Sequence, residues 1–174
     1  MKIDKFDYNH IEFDPVWEDE YKYMPYIRKP YNDLLTLSKW KNMGFTHENF
    51  TGEMCNDQNL IFDWAKNLGK ILNWKNCGYT FYRMKTGDIM PPHRDHFSNY
   101  KKMFNIKNTE DVMRCVVFLE NKKTGHMFEI DGIGIGDWMA GGAIVWRGSV
   151  EHTALNVGSE PRYTLQITGH LNHT

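Results

Sequence analysis

Two kinds of hydrophobic periodicity divide the chain near residue 78. Before it, apolar positions recur at helical spacing. In residues 57–72, Leu60, Ile61, Trp64, Ala65, Leu68, Ile71 and Leu72 fall on one helical face, with Asp57 placed to cap it. This stripe predicts a core-facing helix, not a ligand box. A second helix is predicted for LLTLSKW, capped by Asn32 or Asp33 and ending near Gly44. Residues 1–31 are rich in Tyr, Pro and charge and show no clean period. They predict an irregular lead-in with one short strand.

After Gly78 the texture changes to short runs of β-branched and aromatic residues. These are YTFYRM (79–84), VMRCVVFLE (112–120), HMFEIDG (126–132), GAIVWRG (142–148), HTALNV (152–157) and RYTLQITGHL (162–171). Gly, Asn, Pro and Lys-Lys-Thr-Gly turns separate them. The pattern predicts one domain: a helical and irregular N-terminal support over 1–78, and a β-sandwich or barrel over 79–171. The stretch 96–111 reads as a long loop of the kind that forms a lid or binding edge.

Composition narrows the class. With 174 residues, of which 10 are Phe, 9 Tyr and 6 Trp, the chain can build a core without disulfides or structural metal. The formal net charge of -1 argues against a nucleic-acid binder working by bulk electrostatics. Cys55, Cys77 and Cys115 form no CxxC pair and read as reduced thiols. The N-terminus MKIDKFDYNH lacks an apolar signal stretch, and no later run is long enough to span a bilayer. The expectation is a cytoplasmic protein with no membrane partner. Oligomeric state leaves no trace in the sequence.

Eight histidines remain to be explained. His93-Arg94-Asp95 follows Pro91-Pro92, and His152 opens a later strand. Residues two apart on a strand share a face, so His93 and Asp95 can both point inward, with His152 entering from a neighbouring strand. Two imidazoles and one carboxylate on one side of a metal leave three positions open. That set suits non-haem Fe(II), which must bind a co-substrate and O2 together. Alone, HxD is a weak signal. Arg162 lies ten residues beyond His152, across NVGSEP. If that turn closes a hairpin, Arg162 lies beside the position opposite His152. A buried arginine needs an anion, and a guanidinium pairs with a carboxylate through two hydrogen bonds. Thr164 faces the same way. His96 has the wrong parity for the metal, and His10, His47, His170 and His173 read as surface or loop residues. Of Tyr82 and Arg83, one should face the pocket.

The order HxD, a long interval, His, ten residues, Arg resembles the Fe(II)/2-oxoglutarate-dependent oxygenases on the double-stranded β-helix, a jelly-roll or cupin-like barrel. Trp138-x-x-Gly141, an apolar strand, Glu151-His152 and Arg162 resemble the C-terminal block of the aspartyl/asparaginyl β-hydroxylase branch, with free-proline hydroxylases close in layout. The likeness spans roughly residues 79–170. It implies His93, Asp95 and His152 as iron ligands and Arg162 as partner of the distal carboxylate of 2-oxoglutarate, to which Thr164, placed on the same face by parity, would add a hydroxyl donor. It also implies Arg114 as a 2-oxoglutarate or substrate contact, and His126 as a co-substrate contact. Vertebrate-type aspartyl hydroxylases of that branch lack the carboxylate ligand that Asp95 supplies here. The implied reaction hydroxylates a C–H bond of an amino acid, free or in a peptide or protein, while 2-oxoglutarate becomes succinate and CO2.

Three other readings compete. The same three ligands could hold zinc in a cupin-like hydrolase or isomerase. That chemistry has no use for Arg162. A barrel that has lost catalysis and only binds would not need the full set. A nucleic-acid demethylase of the same superfamily typically shows a second arginine six residues after the first, where this chain has Thr168.

Overall fold

A computed structural model describes residues 8–46 and 50–171. His47 and His173 lie outside them. Among the described residues, no helix is long and apolar enough to cross a membrane.

The lead-in supplies β1 (Tyr8–Glu12), and then comes α1 (Leu34–Asn42). Asp33 caps α1, accepting hydrogen bonds from the Leu35 and Thr36 amides. β2 (Glu53–Cys55) and α2 (Asp63–Leu72) follow. α2 is shorter than the sequence stripe. Asp57 caps a separate 3-10 turn, Gln58–Leu60, accepting from the Asn59 amide at 2.9 Å. Ile61 and Phe62 then run extended. That conformation buries Ile61 and sets Phe62 edge-on to Phe81, while Leu60 and Ile71 face solvent. The true core face of α2 is Ala65, Leu68 and Gly69. A Cβ on Gly69 would stand 2.2 Å from the Tyr79 hydroxyl, so glycine permits this approach of helix to sheet.

The remaining strands are β3 (Lys75–Met84), β4 (Ile89–Arg94), β5 (Val112–Phe118), β6 (His126–Ile130), β7 (Ile133–Gly134), β8 (Gly142–Arg147), β9 (Glu151–Asn156) and β10 (Arg162–His170). They form two antiparallel sheets, ordered β1-β8-β5-β10-β3-β2 and β4-β9-β6-β7. Both faces of the larger sheet are buried, which is why VMRCVVF reads as almost continuously apolar. Its outward residues (Phe81, Met113, Cys115, Val117, Val145, Leu165, Ile167) pack against α2 and the lead-in. Its inward residues (Met84, Val116, Phe118, Ile144, Trp146) meet Phe128, Ile130 and Ala154 of the smaller sheet.

Two further expectations change. The stretch read as a loop over 96–111 contains α3 (Ser98–Phe104). The Tyr100 hydroxyl pins α3 to the sheet, 3.0 Å from the Asn76 carbonyl and 3.0 Å from His170 Nδ1. His170 is therefore a half-buried residue of β10, not a loop residue. Moreover, NVGSEP does not close a hairpin. β9 and β10 belong to different sheets, so the turn carries the chain across the sandwich.

Candidate metal centre

The site grows from a defect in β4. Met90 pairs with Ala154 and His93 with His152, so Pro91 and Pro92 together oppose Thr153. This is a β-bulge, and prolines suit it because they cannot donate to the ladder. The freed carbonyls find other donors. Thr153 Oγ1 donates to Met90 O at 2.7 Å, and Trp40 Nε1, from fully buried Trp40 on α1, donates to Pro92 O at 3.0 Å. Beyond the bulge, His93 sits directly across the ladder from His152, with ring centroids 4.3 Å apart.

Both imidazoles are oriented alike. His93 Nδ1 lies 2.9 Å from Pro91 O, and His152 Nδ1 lies 2.9 Å from Val150 O. A carbonyl only accepts, so each Nδ1 carries the proton and each Nε2 presents a lone pair. Burial, reinforced by His93 and only partly offset by Asp95, pushes His152 down to about 4, so it is neutral near pH 7. Asp95 Oδ1 lies 3.5 Å from His93 Nε2, and Asp95 Oδ2 lies 3.9 Å from His152 Nε2. The three donor atoms fall within 4.8 Å of one another and form the one potential metal cluster among the described residues. Burial opposes the Asp95 charge, but the Arg114 guanidinium, the largest opposing influence, overcomes it and holds the carboxyl well below the usual range.

Asp95, from the end of β4 in the smaller sheet, meets a polar patch centred on Arg114 on the inner face of the larger sheet. Arg114 donates to Asp95 Oδ2 through Nη2 at 2.7 Å and Nε at 3.2 Å, and through Nη1 to Thr168 Oγ1. With its amide oxygen turned toward Arg114, Gln166 also accepts from Nε and Nη1 at 2.9 Å, while its nitrogen donates to the Tyr82 hydroxyl at 3.2 Å. Of the Tyr82–Arg83 pair, Tyr82 faces the cavity, and Arg83 bonds Glu53 instead. Sequence reading missed Gln166 and Thr168 as members of this patch. The available signal was parity: 162, 164, 166 and 168 alternate with the apolar residues 163, 165 and 167.

Arg162 and Thr164 line the same cavity as His93, Asp95 and His152, a space of about 120 Å³. Arg162 reaches it from across the sandwich. The rings of Phe118, Phe128 and Trp138 surround its guanidinium, with centroids 5.6–5.7 Å away. Nη1 touches Met84 Sδ at 3.3 Å, whereas Nε and Nη2 are buried with no hydrogen-bond partner. Burial pushes Arg162 down to about 10. Two orphaned donors on a buried cation are the signature of a site built for an anion.

His126 does not line this cavity. Its Nε2–H donates to Glu160 O at 3.0 Å, and Asn156 Nδ2 donates to the same carbonyl at 2.8 Å. Together they fasten the turn that delivers Arg162. His96 lies outside the donor set, 3.4 Å from Asp33. A wider groove of about 660 Å³, lined by Asp33, Leu34, Leu35, His96 and Phe97 among others, adjoins the metal cavity at Tyr31 and Asp95.

No protein-family model matches the chain, and no curated protein does. Solved structures do match in fold. A prolyl-4-hydroxylase from Pseudomonas putida superposes with a TM-score of 0.57 at 13% identity, covering 96% of this chain and 94% of that one. A predicted oxalate decarboxylase from Thermotoga maritima gives 0.41 at 14% identity, covering 68% and 80%. A cupin protein from Bacteroides fragilis gives 0.40 at 16%, covering 62% and 76%. The fold is the double-stranded β-helix.

Proposed function

We propose that this protein is an Fe(II)- and 2-oxoglutarate-dependent dioxygenase that hydroxylates a C–H bond of an amino acid, free or within a peptide or protein. One observation carries the reading. A buried two-histidine, one-carboxylate donor set shares a cavity with a buried arginine whose Nε and Nη2 have no partner. A hydrolytic metal site explains the first feature and leaves the second without a purpose.

The residues present fit the groups this reading requires. His93 and His152 offer their Nε2 atoms, each ring fixed through its Nδ1 bond to a carbonyl, and Asp95 offers Oδ1. Neutral nitrogen and anionic oxygen donors that leave positions open suit Fe(II). Arg162, with the Thr164 hydroxyl beside it, would take the distal carboxylate of 2-oxoglutarate in a two-pronged contact. When bound, iron would supply a centre at which O2 is the oxidant of both partners, one oxygen atom going to 2-oxoglutarate, which leaves as succinate and CO2, and the other to the substrate C–H bond. The chain's own work is orientation and dryness. Phe118, Phe128 and Trp138 keep water from the guanidinium, which strengthens its pairing with an anion. The groove at Tyr31 and Asp95 is the approach for the primary substrate.

The test is direct. Protein mixed anaerobically with Fe(II) and 2-oxoglutarate should develop a weak visible charge-transfer band, and air should then release succinate. Neither band nor succinate from protein that demonstrably holds the metal would overturn the assignment.

A further inference from the structure

Asp95 differs from the two histidines in how it is held. His93 and His152 are members of paired strands, and each ring is tied to the backbone carbonyl two residues earlier. Asp95 lies one residue beyond the end of β4. Two residues later the chain turns away through Phe97, whose φ of 53° is left-handed, and enters α3. The ladder therefore does not fix the Asp95 side chain. Arg114 does. Both of its bonds to Asp95 go to the same oxygen, Oδ2, which stands 3.9 Å from His152 Nε2, so that Oδ1, the oxygen Arg114 leaves free, is the one nearer an imidazole, 3.5 Å from His93 Nε2. Arg114 also stacks its guanidinium over the Phe97 ring, 4.7 Å from the centroid, and is braced from behind by Thr168 and Gln166.

We infer that Arg114 is a positioning residue for the metal centre, one that holds Asp95 to a single-oxygen contact with the metal. The inference rests on the dioxygenase reading only so far as His93, Asp95 and His152 bind a metal. A carboxylate free to rotate can chelate with both oxygens and occupy a second position. With Oδ2 engaged by two N–H groups, that position stays open for co-substrate. The same engagement explains why Arg114, though it lines the cavity, has its donors directed at Asp95, Thr168 and Gln166 and not at the Arg162 corner.

Titration with Co(II), a spectroscopic stand-in for Fe(II), tests this without turnover. Arg114→Met should weaken Co(II) binding about tenfold to a hundredfold, the usual cost of losing a group that orients a metal ligand. It should also alter the visible Co(II) bands as Asp95 changes its mode of contact. Arg114→Lys should recover part of the affinity but not the spectrum, because an ammonium lacks the planar fork. In an Asp95→Ala background, Arg114→Met should have no further effect on Co(II) affinity. An arginine that merely stabilised the fold would cost affinity in both backgrounds, and that result overturns the inference. If Arg114→Met does not fold, Thr168→Val removes only the brace and should shift affinity and spectrum the same way, by less. Unchanged binding and bands in these variants also sink the inference. Failure of the unmutated protein to bind Co(II) would instead remove the metal centre itself.

Discussion

The two ends of the cavity solve opposite problems. At the metal end each candidate ligand side chain is already held by a partner. Each imidazole is bonded to a carbonyl, and Asp95 to Arg114. At the other end, Arg162 sits in an aromatic box with Nε and Nη2 unpaired. The first end is preorganised, so binding a metal there costs little rearrangement. The second stores an electrostatic penalty that only an arriving anion relieves. On the proposed reading, a cavity built this way would gain its affinity for metal from geometry and its affinity for co-substrate from unsatisfied charge.

This contrast can be broken from either side. The largest effect belongs to the ligands. His93→Ala, Asp95→Ala or His152→Ala should each abolish turnover and cut the metal bound per chain, read by elemental analysis after dialysis. Full metal loading in any of them would remove that residue from the centre. Next comes Arg162→Met. It should weaken 2-oxoglutarate binding at least thirtyfold, the lower end of the roughly 2–5 kcal/mol that truncating a buried charge partner costs. Meanwhile the unliganded protein should gain stability, by about 1–4 kcal/mol in urea melts, because a buried uncompensated cation is gone. A loss of stability would mean that Arg162 is not the strained group described.

Smaller changes sharpen the contrast. Trp40→Phe removes the donor to the Pro92 carbonyl beside the bulge. It should cost about 1–3 kcal/mol of stability and lower metal affinity severalfold, with 2-oxoglutarate affinity of the metal-loaded protein unchanged. The mildest test concerns pH. Burial, together with the charges of Arg162 and Lys123, holds His126 below its ordinary value of 6.5 against the pull of the Glu160 carbonyl. Below that pH the unfolded chain takes up a proton that the folded chain refuses. This contribution to stability is therefore lost as pH falls from about 6.5 toward the lower folded value. His126→Gln keeps a donor for the Glu160 carbonyl but does not titrate. Comparison of melts at pH 7 and 5.5 should show a flatter dependence in the variant, and an identical slope would refute the role.

Much of the site was legible because its chemistry is carried by rare residue types at fixed parity. The reasons that brought those residues together were less so. Parity on one strand suggested that His93 and Asp95 share a face, yet Asp95 lies past the strand end and is steered by Arg114. The ten-residue spacing from His152 to Arg162 suggested a hairpin, whereas it measures a crossing between sheets. In both cases the partner comes from distant sequence: Arg114 on β5, or the strands β3 and β5 that flank β10. Local pattern encodes which face a side chain takes. It does not encode which distant group meets it there. The α2 boundary failed for a related reason. Ile61 and Phe62 are as apolar as helical positions should be, but the sheet recruits them in extended form.

The bulge in β4 has one more consequence. β4 is an outer strand of the smaller sheet, with β9 as its only neighbour in the sheet order, and an outer strand ordinarily offers a row of unpaired amides to any other extended chain. On that side Ile89 is bridged to Phe50, and Pro91 and Pro92 have no N–H to offer just where the strand approaches the candidate metal ligands. The residues that turn His93 inward thus also guard the molecule against edge-to-edge aggregation.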